Sequence, residues 1–182
     1  MVLAGEWSEE LLAEYLEIAG YFVKTNYPVQ ILQSRGGRGE IDILGIKVEN
    51  NQLIIFQIEV GYLPQELDKA YNNIVNKKFG SAVAKEIQKM AKDFGFSRNY
   101  VWRKWYVDPG TFKKSQQAKK WNNLKNKLRN QDIELKTLEE VLNEIKAEIG
   151  RWKQRHKTPQ GYPPTIPENL WILKAFEGIK IV

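Results

Sequence analysis

The stretch from Gly36 to Gly61 limits most strongly what this chain can fold into. A glycine-rich turn leads into two apolar segments, which are joined at Asn50 and Asn51. Two such segments with a short connection predict an antiparallel β-hairpin. Asp42 lies in the first segment and Glu59 near the end of the second. We therefore expect the hairpin to bring two acids together at one end of a sheet.

The amino-acid composition limits which kinds of catalytic or metal-binding site these acids can belong to. The chain has no cysteine and one histidine, His156, among its 182 residues. Disulfides, thiolate metal sites, a cysteine nucleophile and histidine-rich metal sites are therefore excluded. A catalytic metal would be held by oxygen ligands, which favours Mg²⁺ or Mn²⁺ as the cofactor.

The apolar content indicates a globular protein, and the charge is compatible with a polyanionic partner. The net charge is +6, which suits nucleic acid, although a lysine-rich protein without such a partner has the same balance. No apolar run approaches the ~20 residues of a membrane span, and no secretory leader is visible. We expect a cytoplasmic (intracellular) protein with a core over 1–130 and a helical extension over 131–182 packed on it.

The predicted elements follow the order helix, three strands, helix, strand and further helices. This order is typical of an α/β fold whose mixed sheet has helices on both faces. Pro28 interrupts the first strand, which predicts that the strand lies at the sheet edge or bends there. A helical region from Gln65 to about Phe94 is expected to break near Gly80. Thr137 and Glu140 have the spacing of a capping box.

The first helix is predicted over about Glu9–Ala19, with Ser8 as its N-cap. Helical spacing places Glu9 three residues before Leu12, on the buried side. Three other glutamates share a face that we expect to be solvated: Glu10, Glu14 and Glu17.

Alternation along the second hairpin strand places Gln57 and Glu59 on one face. A buried carboxylate must be paired, hydrogen-bonded or metal-bound, because burying it alone is costly. If the strands pair, Asp42 approaches Glu59, the carbonyl of Val60 adds another oxygen, and Glu9 completes the set. The alternative is that the two acids are satisfied by solvent or by a lysine, and that Gln57 is a buried hydrogen-bonding residue.

Three segments carry a resemblance to a known family. They are EELLAEYLEIAGYFV from Glu9, GEIDILG from Gly39 and IIFQIEV from Ile54. The order of these segments and the positions of their acidic residues resemble those of the PD-(D/E)XK nucleases. This family includes restriction enzymes and archaeal Holliday-junction resolvases. The resemblance covers about Glu9 to Val107. It implies a restriction-endonuclease-like αβββαβ core with a mixed central sheet, here followed by extra C-terminal helices.

The resemblance also implies metal-dependent hydrolysis of phosphodiesters. Asp42, Glu59 and the Val60 carbonyl would bind Mg²⁺ (or Mn²⁺), and Glu9 and Gln57 would belong to the catalytic group. Such nucleases often cut DNA as homodimers, so a homodimer is an expectation by analogy.

The family's lysine, two residues after the second acid, is absent at that position. Counted from Glu59, the position holds Gly61. In an alternative register, Gln57 takes the place of the acid and Glu59 that of the lysine. We favour the first register because Ile-Glu-Val matches the usual pattern. In some relatives the lysine comes from the following helix, where Lys69 is the nearest candidate.

Basic residues in two places are candidates for binding the nucleic-acid backbone. They are Arg35 and Arg38 in the glycine loop, and Lys113, Lys114, Lys119 and Lys120 on a polar helix. Plain turn chemistry and a solvated helix face are the alternatives.

Three functions are compatible with these patterns. The first is a metal-dependent endonuclease that acts on DNA rather than RNA. The second is a catalytically inactive nuclease-fold protein that binds nucleic acid or serves as a complex subunit. The third is a basic α/β interaction module without a metal.

Overall fold

A computed structural model describes residues 4–29, 39–64, 66–110 and 114–178 of the chain. Within these residues, five strands lie side by side in chain order: β1 (Phe22–Val29), β2 (Gly39–Glu49), β3 (Gln52–Val60), β4 (Tyr100–Asp108) and β5 (Ile133–Thr137). Strand β2 runs antiparallel to both β1 and β3, whereas β4 runs parallel to β3, and β5 to β4. The sheet is therefore mixed, and the predicted α/β class is confirmed.

Along the chain, α-helices precede, separate and follow the strands. They are α1 (Ala4–Ile18), α2 (Leu67–Asn73), α3 (Ser81–Asp93), α4 (Lys114–Arg129), α5 (Leu138–Arg155) and α6 (Trp171–Gly178). Helix α2 continues into a π-helical turn, Ile74–Lys78, and the predicted break comes directly after it at Gly80. None of the described helices has the length and apolar character that a membrane span requires.

Side chains of β3 supply apolar contacts on both faces of the sheet. Ile54, Phe56 and Ile58 pack in a cluster with α1, α5 and α6. Leu53 and Ile55 pack on the opposite face with α3. The alternation predicted for this strand is therefore confirmed. A third cluster joins α2, α4 and β5.

The first helix differs from its prediction in two ways. Ser8 is not the N-cap, because α1 begins at Ala4 and Ser8 is buried within it. Glu14 is not solvated but 5% exposed, and it accepts hydrogen bonds from the amides of Ile172 (3.2 Å) and Leu173 (2.8 Å). Burial raises the pKa of Glu14, and the two amides oppose that rise. Glu14 thus satisfies amides of the first turn of α6, which have no partner within their own helix.

The C-terminal part of the chain belongs to the same sheet and core. Strand β5 is one edge of the sheet, and β1, which contains Pro28, is the other edge as predicted. The capping box is confirmed, because Thr137 Oγ1 accepts from the Glu140 amide and Glu140 Oε2 accepts from the Thr137 amide. Residues after 130 therefore complete the sheet in addition to adding helices.

Candidate metal centre

The β2–β3 hairpin brings Asp42 and Glu59 together on one face of the sheet. Leu44 lies opposite Gln57, and continuing this register places Asp42 opposite Glu59. Asp42 shares a strand face with Leu44, and Glu59 shares one with Ile55. Leu44 and Ile55 pack in the same cluster, so the two acids point to the same side.

A lysine side chain lies between the two acids. The Nζ atom of Lys78 is 3.1 Å from Asp42 Oδ1 and 2.6 Å from Glu59 Oε2. Lys69, the lysine expected from the sequence, instead pairs with Glu66 at 2.8 Å and has a side chain that is 72% exposed. The structure therefore brings Lys78, not Lys69, to the acids. One cationic group already reaches both carboxylates.

The π-helical turn determines where Lys78 lies. The Phe79 amide donates to the Ile74 carbonyl at 3.0 Å, which closes a turn one residue wider than that of an α-helix. Gly80 follows at a point of close backbone approach, where a Cβ atom would lie 2.0 Å from the Asn76 carbonyl oxygen. Only glycine fits at this position without opening the turn. Gly80 therefore helps to keep Lys78 beside the acids.

Gln57 connects the acid pair to the lysine segment. Its Nε2 donates to Glu59 Oε1 at 2.7 Å and to the Lys78 carbonyl at 2.9 Å. Its Oε1 accepts from the Trp102 indole at 3.2 Å. The side chain is fully buried. Gln57 therefore holds Glu59 and the Lys78 backbone in place through hydrogen bonds, as the sequence alternative proposed.

The residues after Glu59 leave little room for a side chain at position 61. A Cβ atom on Gly61 would lie 2.7 Å from the hydroxyl oxygen of Tyr106, so a larger side chain there requires the tyrosine to move. Val60 contributes its amide, which donates to Asp42 Oδ2 at 2.8 Å. The proposed role of the Val60 carbonyl as a ligand stays a prediction.

The pKa values of both Glu59 and Lys78 are perturbed at this centre. Burial raises the pKa of Glu59 to about 8, and the neighbouring Asp42 adds to the rise, while Lys78 and Gln57 oppose it. Burial alone would lower the pKa of Lys78, but the two acids together hold it above its usual value. Glu59 Oε2 is buried and accepts no well-aligned hydrogen bond, although the Lys78 ammonium touches it. We interpret this contact as close but poorly directed, so one buried oxygen is incompletely satisfied.

The donor set fits a small divalent cation. Mg²⁺ is commonly bound by one or two carboxylates, with water and phosphate oxygens completing its shell. Asp42 and Glu59 provide two carboxylates, both of which contact the Lys78 ammonium, so a cation bound between them would have to displace that ammonium. Glu9 lies partly exposed in α1. In the described part of the chain, no three acid or histidine side chains form a group of metal-binding type.

Of the residues expected to bind nucleic acid, the structure describes the side chains of two. Lys119 and Lys120 are exposed on α4. Arg35, Arg38 and Lys113 fall outside the described residues, as does the side chain of Lys114.

One signal in the sequence points to Lys78. Lys78 follows Ala70 by eight residues and Ile74 by four, so it continues their buried helical face. Lys69 lies off that face. The spacing from Ala70 and Ile74 therefore favours Lys78 over the nearer Lys69.

Comparison with known proteins adds no family to this geometry. No family model matches the chain, and no curated protein matches it with significance.

Proposed function

We propose that this protein is a metal-dependent phosphodiester hydrolase of the endonuclease type that acts on DNA. The observation that carries the proposal is that the β2–β3 hairpin holds two buried acids, Asp42 and Glu59, opposite each other on one face of the sheet. The order α1, β1 to β3, α2 with α3, and β4 supports a restriction-endonuclease-like αβββαβ core. Two facing acids with an adjacent lysine make up the residue types that metal-assisted phosphodiester hydrolysis uses.

Asp42 and Glu59 would hold Mg²⁺ or Mn²⁺. When bound, such an ion acidifies a water molecule and stabilises negative charge on the phosphate. With both acids ionised, Asp42, Glu59 and Lys78 carry a net charge of −1, which attracts a divalent cation. Gln57 keeps the Glu59 carboxylate oriented by its 2.7 Å hydrogen bond.

Lys78 takes the role that the resemblance gives to the family's lysine. Its side chain is 35% exposed, so it is open on one side to a substrate. A positioned ammonium stabilises negative charge that develops on a phosphate during the reaction. Gln57 and the π-helical turn fix the backbone from which this ammonium extends.

Plasmid nicking in Mg²⁺ or Mn²⁺ tests the proposal. We expect the wild-type protein to nick, Asp42→Ala to be inactive, and Lys78→Ala to lose about 10²–10³-fold in rate, which is the usual cost of removing one stabilising donor. Lys69→Ala is the matched control, because Lys69 lies in the same helical segment but pairs with Glu66. Full activity of Lys78→Ala, or loss of activity in Lys69→Ala, would contradict the assignment.

A catalytically inactive DNA-binding protein is the second candidate. The observation in its favour is that Lys78 already pairs with both acids, as a permanent structural ion pair would. In that case neither the wild type nor Asp42→Ala cuts, and both retard DNA on a gel. Lys119→Ala and Lys120→Ala would then each make the slope of log binding constant against log salt concentration shallower, by the amount expected for about one lost phosphate contact.

A further inference from the structure

A small cavity lies directly beside the acid pair. Its volume is about 210 Å³, and Lys78 lines it while also contacting Asp42 and Glu59. The remaining wall includes Tyr62, Pro64, Asn73, Lys77 and Tyr106. A group bound in the cavity therefore lies next to a phosphate at the acid pair.

The cavity presents an exposed aromatic ring from an anchored loop. Tyr62 is 61% exposed. On one side of it, the Gly61 amide donates to the Val107 carbonyl at 3.0 Å. On the other side, the Leu63 amide donates to the buried Asp108 carboxylate. The Tyr62 ring is thus exposed at a defined position. Its apolar surface is left in contact with solvent instead of being buried.

The charge and size of the cavity indicate what it accepts. Lys77 and Lys78 line it, and no acid is among the described residues of its wall. Its volume lies below the ~300–1,000 Å³ of pockets for drug-sized ligands, so it suits a single small group. An aromatic face beside cationic groups is the combination that binds a base and its phosphate in single-stranded nucleic acid.

We propose that this cavity receives the base of one unpaired nucleotide next to the phosphodiester at Asp42 and Glu59, with the base stacked on Tyr62 and the adjoining phosphate facing Lys77. In an intact duplex both faces of a base are already stacked, so the face that Tyr62 needs is not available. The substrate class is therefore single-stranded or locally unpaired DNA. This inference rests on the proposed function, because it assigns the substrate of that same site.

Binding without hydrolysis tests the inference independently of catalysis. The probes are a fluorescein-labelled single-stranded oligonucleotide and the same sequence as a blunt duplex, followed by anisotropy in EDTA. We expect the wild type to prefer the single strand and Tyr62→Ala to lose about tenfold or more in affinity for it, as for loss of base stacking. Tyr62→Phe keeps the ring and should keep the affinity. Tyr162→Ala is the matched control, because Tyr162 is 69% exposed and does not line the cavity.

The outcomes separate this inference from the proposed function. Equal affinity of the wild type and Tyr62→Ala for the single strand, or a preference for the duplex, overturns the inference even if the protein cuts DNA. Tyr62-dependent binding of the single strand supports it even if no cleavage is seen in Mg²⁺ or Mn²⁺, an outcome that removes the nuclease proposal alone. Thermal melting of each variant checks that the exposed substitutions leave the fold intact.

Discussion

Replacing Lys78 with methionine tests the electrostatic balance of the acid pair. Methionine keeps most of the side-chain length and removes the ammonium that lies 2.6 Å from Glu59 and 3.1 Å from Asp42. The two acids, whose side chains are 0% and 12% exposed, then face each other without a cation. Like charges in one site cannot both ionise easily, so the pair takes up a proton or repels.

The cost follows from the burial of the three groups. Removing one partner of a fully buried ion pair costs about 3–5 kcal/mol, whereas exposed pairs contribute about 0–1 kcal/mol. Lys78 is 35% exposed and its partners are buried, so we expect an intermediate loss of about 2 kcal/mol at pH 8. For a chain of this size, that loss lowers the melting temperature by about 4–8 °C.

The assay is urea denaturation of the wild type, Lys78→Met and Lys69→Met, each with and without Mn²⁺. Without metal, Lys78→Met should be the least stable, and Lys69→Met should stay within about 0.5 kcal/mol of wild type. Saturating Mn²⁺ should stabilise Lys78→Met more than wild type, because the ion no longer competes with an ammonium. A Lys78→Met protein as stable as wild type, or no greater response to Mn²⁺, would refute the reasoning.

Three further substitutions test other parts of the account. Because the pKa of Glu59 is raised from 4.5 to about 8, the folded state binds the proton more tightly, and stability falls as pH rises through that range. Urea denaturation in EDTA should therefore show Glu59→Gln gaining stability relative to wild type between about pH 5 and 8, and a constant difference would contradict the shift. Gly80→Ala should destabilise by about 1–3 kcal/mol and slow DNA nicking, whereas Gly150→Ala, in open space on α5, should be neutral or stabilising by up to about 1 kcal/mol. In thermal melts, Glu14→Ala should lower the free energy of unfolding by about 2 kcal/mol or more, because it leaves two amides unpaired. Glu17 is exposed, so Glu17→Ala should change stability little. Equal effects of the two substitutions would mean that Glu14 does not anchor α6.

The hairpin and the positions of its acids could be predicted from the sequence, because short-range rules determine both. Alternation placed Gln57 and Glu59 on one face, and the short connection at Asn50 and Asn51 predicted the antiparallel pairing that β2 and β3 show. Asn50 and Asn51 both adopt positive φ, a backbone conformation that asparagine tolerates better than most residues.

The residues that contact the buried acids were harder to predict from the sequence. They lie in other segments, and which segments meet depends on the path of the chain between them. The spacing from Ala70 and Ile74 favours Lys78 over Lys69, but no periodicity predicts the π-helical turn through which Lys78 reaches the acids. Glu14 looked solvated because helical spacing shows which residues share a face, not which later element covers that face. Here α6, far along the chain, covers it. The nuclease activity and the metal stay predictions.

Anomalous diffraction from crystals soaked in Mn²⁺ tests the central claim most directly, since it locates the ion among its ligands. We predict a peak within about 2.0–2.6 Å of a carboxylate oxygen of both Asp42 and Glu59, with the Lys78 ammonium displaced from the pair. A peak that appears elsewhere, or no peak while Lys78 keeps its contacts to both acids, would contradict the claim.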